Sequence, residues 1–231
     1  MKTLGLLGGM SWVSTLGYYS AINQGVSEAL GGLHSARLVL YSVDFHDIEH
    51  LQRTGDWDGS GEQLAQAARS LERAGAEGLV LCTNTMHRVA DAIERAVDMP
   101  LLHIADAAGR RLQAAGIGRV GLLGTRYTME QDFYAARLAD RFGIEVLVPP
   151  GNEREQLDRI IFAELCRGQV LADSRACCLG IMDALGRRGA QAMLLACTEI
   201  GLLVEPSHTS LPLYDTARIH AARAVEWALQ G

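Results

Sequence analysis

An α/β protein built from two similar lobes is the fold class this sequence predicts, and three observations carry it. Strand-sized apolar runs alternate with helical patterns along the chain, the arrangement of parallel sheets flanked by helices. Four segments of the first half recur in the same order in the second. The recurring segments hold the turns that lead from strand to helix, and in such sheets ligands sit beyond the carboxyl ends of the strands. The expectation is two pseudo-symmetric, doubly wound lobes. Each has a mainly parallel four-stranded sheet flanked by helices, and the active site lies in the cleft between them.

The first strand is expected at Leu4–Leu7, within "MKTLGLLGGM", whose apolar part is too short and too rich in glycine for a signal peptide. "GGLHS" is loop punctuation before a second strand at Ala36–Val43. "LQRTGDWDGSG" reads as a mobile loop, with Trp57 placed to cap a bound ligand. A helix follows over Glu62–Arg73, because Leu64, Ala67, Ala68 and Leu71 fall at helical spacing. Strands at Gly78–Cys82 and Leu101–Ile104 complete the first set. The second set is Arg119–Leu123, Glu145–Val148 with the loop "PPGNE" after it, Ala192–Ala196 and Leu211–Tyr214. The implied lobes are residues 1–104 with 215–231, and residues 105–214.

The repeat is explicit. "GLLGGMS" at Gly5 returns as "GLLGTRY" at Gly121, and "LQRTG" at Leu51 as "LCRG" at Leu165, which sets Arg53 against Arg167. "GAEGLVLCTNT" at Gly75 returns as "GAQAMLLACTEI" at Gly189, and "PLLHIADAA" at Pro100 as "PLYDTA" at Pro212. The spacing stays near about 110 residues, the size of a small domain. Glycine under glycine, Thr83 falls on Cys197, Asn84 on Thr198 and Thr85 on Glu199.

Composition removes several classes. A net charge of −6 argues against a nucleic-acid groove, which needs concentrated Lys and Arg. No apolar stretch is long enough for a bilayer. Five cysteines, an odd number without CxxC or metal spacing, suggest a reduced, cytoplasmic protein with no metal site. There is no P-loop, no GxGxxG and no lysine in a suitable turn, so neither nucleotide nor pyridoxal cofactor is expected.

What remains is a set of polar turns. Backbone N–H groups at the start of a helix favour an anion, and a small carboxylate is the economical ligand. The bland alternative is a tight strand–helix turn. Met10 and Thr125 beside the two "GLLG" turns, with Asn84, Thr85, Thr198 and Glu199 from the other pair, are the candidate substrate contacts. Cys197 follows an apolar strand and precedes a helix, a position that lowers a thiol pKa and favours the basic thiolate. Cys166, Cys177 and Cys178 lie in helical patterns and read as small buried hydrophobes. Cys82 is one residue out of step with Cys197 and points to the other face, leaving Thr83 toward the ligand. An alcohol is a far weaker acid than a thiol, so Thr83 is either a proton donor or relay, or a hydrogen-bonding strand end. Arg53 and Arg167 offer bidentate carboxylate recognition, or are solvated helix-end charges. Gln52 competes with Arg53 for the polar contact, and His87 is either a supporting partner or structural. Asp44 and His46 in "SVDFHD" sit at a strand end, either as further polar contacts or as residues satisfied locally.

"GLLGGMSW", "CTNTMH" and "ACTEIGLL", on this doubled architecture, resemble the aspartate/glutamate racemase branch of the Asp/Glu/hydantoin racemase superfamily over essentially the whole chain. The resemblance implies cofactor-independent racemisation by two bases, with a cysteine from each lobe on either side of the substrate Cα. The second family motif, Cys-Thr-Glu, matches Cys197, Thr198 and Glu199. The first, Cys-Asn-Thr, lands on Thr83, Asn84 and Thr85, so threonine replaces one catalytic cysteine. In the family the second-lobe cysteine acts on the L enantiomer. The implied reaction is deprotonation of the L-amino acid by Cys197 and reprotonation from the Thr83 side, with slow turnover of the D enantiomer. Aspartate-selective relatives carry lysine where Arg167 stands, which implies aspartate or glutamate as substrate. Relatives are commonly dimers, so a homodimer is expected. Two alternatives stay open: a single-cysteine decarboxylase of malonate-type acids, and an amino-acid-binding protein without turnover. A nicotinamide enzyme lacks its fingerprint.

Overall fold

The computed structural model describes residues 1–230. The chain forms two compact units, Met1–Ile104 with the C-terminal stretch from His220, and Ala105–Ile219. The first unit runs β1 (Leu4–Gly8), α1 (Trp12–Leu30), β2 (Leu38–Ser42), α2 (Phe45–Thr54), α3 (Trp57–Arg73), β3 (Gly78–Leu81), a 3-10 turn (Thr85–Val89) and α4 (Ala90–Glu94). Its strands are parallel in the order β2-β1-β3. After α5 (Ile104–Ala114) the second unit continues with β4 (Arg119–Gly124), α6 (Arg126–Glu130), α7 (Asp132–Phe142), β5 (Glu145–Leu147) and α8 (Gly151–Ala163). A 3-10 turn (Leu165–Arg167), α9 (Ala172–Arg187), β6 (Ala192–Ala196), α10 (Ile200–Leu203) and β7 (Leu213–Asp215) follow, and α11 (Thr216–Leu229) belongs to the first unit from His220 onward. These strands are also parallel, in the order β5-β4-β6-β7. The α/β class and the parallel sheets flanked by helices are therefore as the sequence indicates.

Two details differ. The segment expected as a strand at Leu101–Ile104 is a single parallel bridge, Leu79 to Leu101, so the first sheet has three strands rather than four. Only the Leu79 N–H to Pro100 carbonyl and the Leu102 N–H to Leu79 carbonyl form there before α5 begins at Ile104. "LQRTGDWDGSG" is not a loop. Its glycine and aspartate are helix ends: Gly55 closes α2 in the left-handed region at φ 77°, and Asp56 caps α3 by accepting the Gly59 N–H at 2.9 Å. Trp57 is the first residue of α3, half-buried, with the Arg88 guanidinium 4.4 Å above its ring. It is therefore part of a packed helix start rather than a lid.

The first glycine of each "GLLG" is a packing requirement. A Cβ at Gly5 would lie 2.9 Å from the Ala76 Cβ, and one at Gly121 2.6 Å from the Met193 Sδ. Around Gly5 the buried side chains Leu64, Ala67, Ala68 and Leu71 of α3 form one core with Leu7, Leu79 and Leu81. Each fully buried leucine contributes about 2 kcal/mol. In the second unit Ile181, Met182 and Leu185 of α9 pack with Leu123, Met193 and Leu195 in the same way.

Candidate active site

In the first unit β1 and β3 end side by side, with Leu7 paired to Leu81 and the Cys82 N–H donating to the Leu7 carbonyl. Met10 and the Thr83–Thr85 run therefore emerge from adjacent strands, and Met10, Thr83, Asn84 and Thr85 are all buried. Gln52 is also buried and donates from Nε2 to the Met86 Sδ at 2.8 Å. Its neighbour Arg53 points outward. That side chain is 63% exposed, 3.5 Å from Glu49 and 3.2 Å from the His50 ring. Neighbouring helix residues project about 100° apart, so α2 turns Gln52 into the protein and Arg53 toward solvent.

A buried histidine cluster supports the Thr83 turn, and of its members the sequence singled out only His87. His87 Nδ1–H donates to the Thr83 carbonyl at 2.7 Å, and His87 Nε2 accepts the Ile104 N–H at 3.2 Å. The two bonds together fix a neutral ring and its tautomer. His103 packs against it with ring centroids 4.4 Å apart. His220 accepts the Tyr18 hydroxyl at 2.9 Å through Nδ1 and donates to the Leu102 carbonyl through Nε2. Burial pulls its pKa down to about 4. His87 is the one member the sequence raised as a supporting partner; Tyr18 and His220 lie far apart in the chain, and no local signal joins them.

In the second unit β4 and β6 end together at the Gly124–Ala196 pair, so Thr125 and Cys197 are the next residues out. Thr125 caps α6 by accepting the Thr128 N–H, and the Arg126 N–H goes to Asp158 Oδ1 at 2.8 Å. In the first unit the Gly9 N–H is likewise taken by Thr15 Oγ1 at 2.9 Å. These N–H groups serve the fold.

Cys197 is buried, and its S–H donates to Glu199 Oε2 at 3.2 Å. The Thr198 hydroxyl donates to the same oxygen at 2.5 Å. Burial first, and the Glu199 charge second, push the Cys197 thiol well above its ordinary pKa, although the Glu199 backbone N–H acts the other way. The expectation of a lowered thiol pKa is therefore reversed. α10 is a single turn of four residues, too short for a helix dipole to outweigh desolvation and a neighbouring carboxylate. Cys166 is half-buried beside the same glutamate, and burial, then Glu199, pushes its thiol up to about 12. Arg167 is exposed. The repeat that sets Arg53 against Arg167 also sets Gln52 against Cys166. In both units the first residue of the pair turns in and the arginine turns out. Cys82 and Cys178 are fully buried, and all five cysteines are free.

With the strand-end cysteine, its glutamate and the repeated turn in place, comparison with known proteins settles the family. The model described as Asp/Glu/Hydantoin racemase matches residues 7–224. The chain belongs to the Asp/Glu/hydantoin racemase family. It is an isomerase by class. A glutamate racemase of Pseudomonas putida (strain W619) is 29% identical over 189 residues, covering 81% of this chain and 68% of that protein. A solved structure from Yersinia pestis, assigned as an Asp/Glu racemase, is 53% identical with TM-score 0.94, both chains covered completely. An aspartate racemase homologue from Pyrococcus horikoshii is 34% identical with TM-score 0.85, again over all of both chains. Among the described residues no helix is long and apolar enough to cross a membrane.

Proposed function

We propose that this racemase-family protein interconverts the enantiomers of aspartate or glutamate without a cofactor, Cys197 removing the α-proton of the L enantiomer and the opposite face being reprotonated from the Thr83 side. The observation that carries the reading is the Cys197–Glu199 contact at the end of β6, matched in the first unit by a threonine at the same strand end. The sulfur rests protonated. To act as a base it passes its proton to the Glu199 carboxylate, S–H breaking as O–H forms, and the thiolate then takes the Cα hydrogen as a proton. The electron pair left on Cα spreads into the substrate carboxylate. Hydroxyl and amide donors of Thr83, Asn84, Thr85 and Thr198 are suited to stabilise that charge, and the substrate's ammonium group favours the thiolate. Thr83 supplies the second proton directly or through a water, and as a weak acid it makes the D direction slow. Support for a dicarboxylic substrate comes from the family and its glutamate and aspartate relatives, not from the two exposed arginines. Five free cysteines, one of them the proposed base, support a reducing compartment such as the cytoplasm.

The test is α-proton exchange in heavy water from each enantiomer, followed by chiral chromatography. Washout from the L form at least about tenfold faster than from the D form is expected. Equal washout from both removes the assigned roles. Binding without washout from either makes the protein a non-catalytic binder. One observation favours a second reading. A thiol that rests protonated is a ready proton donor, and a malonate-type decarboxylase needs only one protonation after carbon dioxide leaves. Carbon dioxide release from an arylmalonate identifies that activity.

A further inference from the structure

The register of β3 with β1 ends at Leu7 and Leu81, where the Cys82 N–H meets the Leu7 carbonyl at 2.9 Å. Thr83 is the next residue out, and both of its backbone groups are fixed by other means. Its N–H donates to the Leu81 carbonyl at 2.8 Å, and its carbonyl accepts the His87 Nδ1–H at 2.7 Å. A threonine side chain is stiff about χ1, so the backbone that carries Thr83 also aims its hydroxyl.

His87 is buried and held from several sides. Its Nε2 accepts the Ile104 N–H at 3.2 Å. The rings of His103 and His220 lie 4.4 Å and 5.8 Å from it, centroid to centroid. His220 is anchored in turn by the Tyr18 hydroxyl and the Leu102 carbonyl, and the Leu102 N–H returns to Leu79 of β3 at 2.9 Å. The ring is thus braced against the strand whose end it steadies. Both of its nitrogens are engaged by backbone groups, so the imidazole is not placed to take or give a proton in the reaction. What it can transmit is geometry, and a misplacement of about 1 Å in a reacting group costs up to about 10²-fold in rate.

We infer that His87 is a positioning residue for the second proton transfer, its Nδ1–H bond to the Thr83 carbonyl, rather than the bulk of its ring, directing the Thr83 hydroxyl at the substrate. The inference rests on the roles proposed for Cys197 and Thr83. A carbanion formed by Cys197 has two fates. It regains a proton on the same side, which returns the L enantiomer with its isotope exchanged, or it gains one from the Thr83 side, which gives the D enantiomer. The ratio of inversion to exchange measures how well the second proton is aimed. A general loss of folded enzyme lowers both fates alike and leaves the ratio unmoved.

Two substitutions separate the two bonds of the ring. The amide nitrogen of asparagine falls where Nδ1 lies, so His87→Asn keeps a donor for the Thr83 carbonyl and gives up the Ile104 contact. The terminal amide of glutamine falls where Nε2 lies, so His87→Gln keeps an acceptor for the Ile104 N–H and gives up the Thr83 bond. Each breaks one buried backbone contact, so comparable losses of thermal stability are expected. With L substrate in heavy water, His87→Gln is expected to lower the ratio of D product to exchanged L by roughly tenfold, and His87→Asn to keep it within about twofold of the unaltered protein. Chiral chromatography with mass spectrometry reads both. Equal ratios in the two variants overturn the inference, and so does a larger fall in His87→Asn. If only one variant folds, it decides alone, by a lowered ratio for glutamine or a preserved one for asparagine. If neither folds, the ring is a structural requirement and the inference fails. An unaltered protein that exchanges neither enantiomer removes the proposed reaction and the inference with it, an outcome distinct from equal ratios.

Discussion

The two units end their central strands alike and then diverge in chemistry. After β3 the chain presents threonine, asparagine and threonine above a neutral histidine; after β6 it presents cysteine, threonine and glutamate. The first turn is held by a hydrogen bond to its backbone, from His87 to the Thr83 carbonyl. The second is tied side chain to side chain, through an oxygen of Glu199 that accepts from both Cys197 and Thr198. A backbone-held turn fixes position and leaves acid–base capacity to whatever side chain projects from it. A turn tied through a carboxylate builds proton transfer into the contact itself. The first turn thus carries hydroxyl and amide donors on a fixed backbone, and the second a thiol in contact with a carboxylate.

The sharpest way to break this comparison is to remove each strand-end side chain. Cys197→Ala is expected to lower α-proton exchange from the L substrate by about 10³-fold, within the usual range for a lost general base. Thr83→Ala is expected to lower it far less, on the order of tenfold, because water can still deliver a proton. Equal losses in the two variants would mean the units are chemically equivalent. Thr83→Cys should narrow the difference, raising exchange from the D enantiomer by at least about tenfold. Isotope exchange followed by mass spectrometry measures all three.

The scaffold of the first unit yields the next effect. His220 is neutral in the folded protein, its pKa pulled from 6.5 to about 4 by burial. In the unfolded chain it binds a proton near 6.5. Its contribution is therefore fully present above that value and is lost as pH falls toward 4, to the extent of about 3 kcal/mol. His220→Phe removes the bonds of the ring to the Tyr18 hydroxyl and the Leu102 carbonyl, costing about 2–4 kcal/mol at pH 7. It should also remove this part of the decline between pH 6.5 and 4. Urea unfolding of both proteins across that range checks the sign, and a parallel decline in the variant would assign the acid sensitivity elsewhere.

These two outcomes mark what the sequence made legible. The strand positions, the repeat and the place of Cys197 at a strand end rest on local pattern, since apolar runs and turn glycines announce themselves over a few residues. The histidine cluster rests on a pairing of Tyr18 with His220 across most of the chain, and no local spacing encodes it. The mistaken loop at Gly55 shows the limit from the other side. A glycine flanked by polar residues marks both loops and helix ends, and only the capping bonds of Asp44 and Asp56 decide between them. The sign of the Cys197 shift was beyond reach for the same reason. Sequence gives the helix start, but desolvation and the distance to Glu199 are three-dimensional quantities.

Glu199→Gln sharpens the second half of the comparison. It keeps a side chain able to meet the thiol while removing the negative charge that raises its pKa. The thiolate then forms more easily, so the alkaline rise of L-substrate exchange moves to lower pH. The proton acceptor is lost as well, and the plateau rate is expected to fall on the order of tenfold. A profile that keeps its midpoint would show that the charge does not govern the sulfur. The pH dependence of kcat/KM separates the two effects.

The smallest effect concerns the arginines, where repeat and structure together make an unusual demand. If position 53 and its counterpart 167 recognised carboxylate, their removal would raise KM by orders of magnitude, since a bidentate pair is worth several kcal/mol when buried. Arg53 instead lies 63% in solvent, 3.5 Å from Glu49 one helical turn away, an arrangement worth a few tenths of a kcal/mol. Arg53→Gln is therefore expected to change KM less than about twofold, and its loss of stability should be erased by salt. Gln52→Leu removes a buried donor to Met86 and should raise KM more than Arg53→Gln does, although it conserves net charge. The reverse ranking in steady-state kinetics would return substrate recognition to the arginine, and would require α2 to present its other face when substrate is bound.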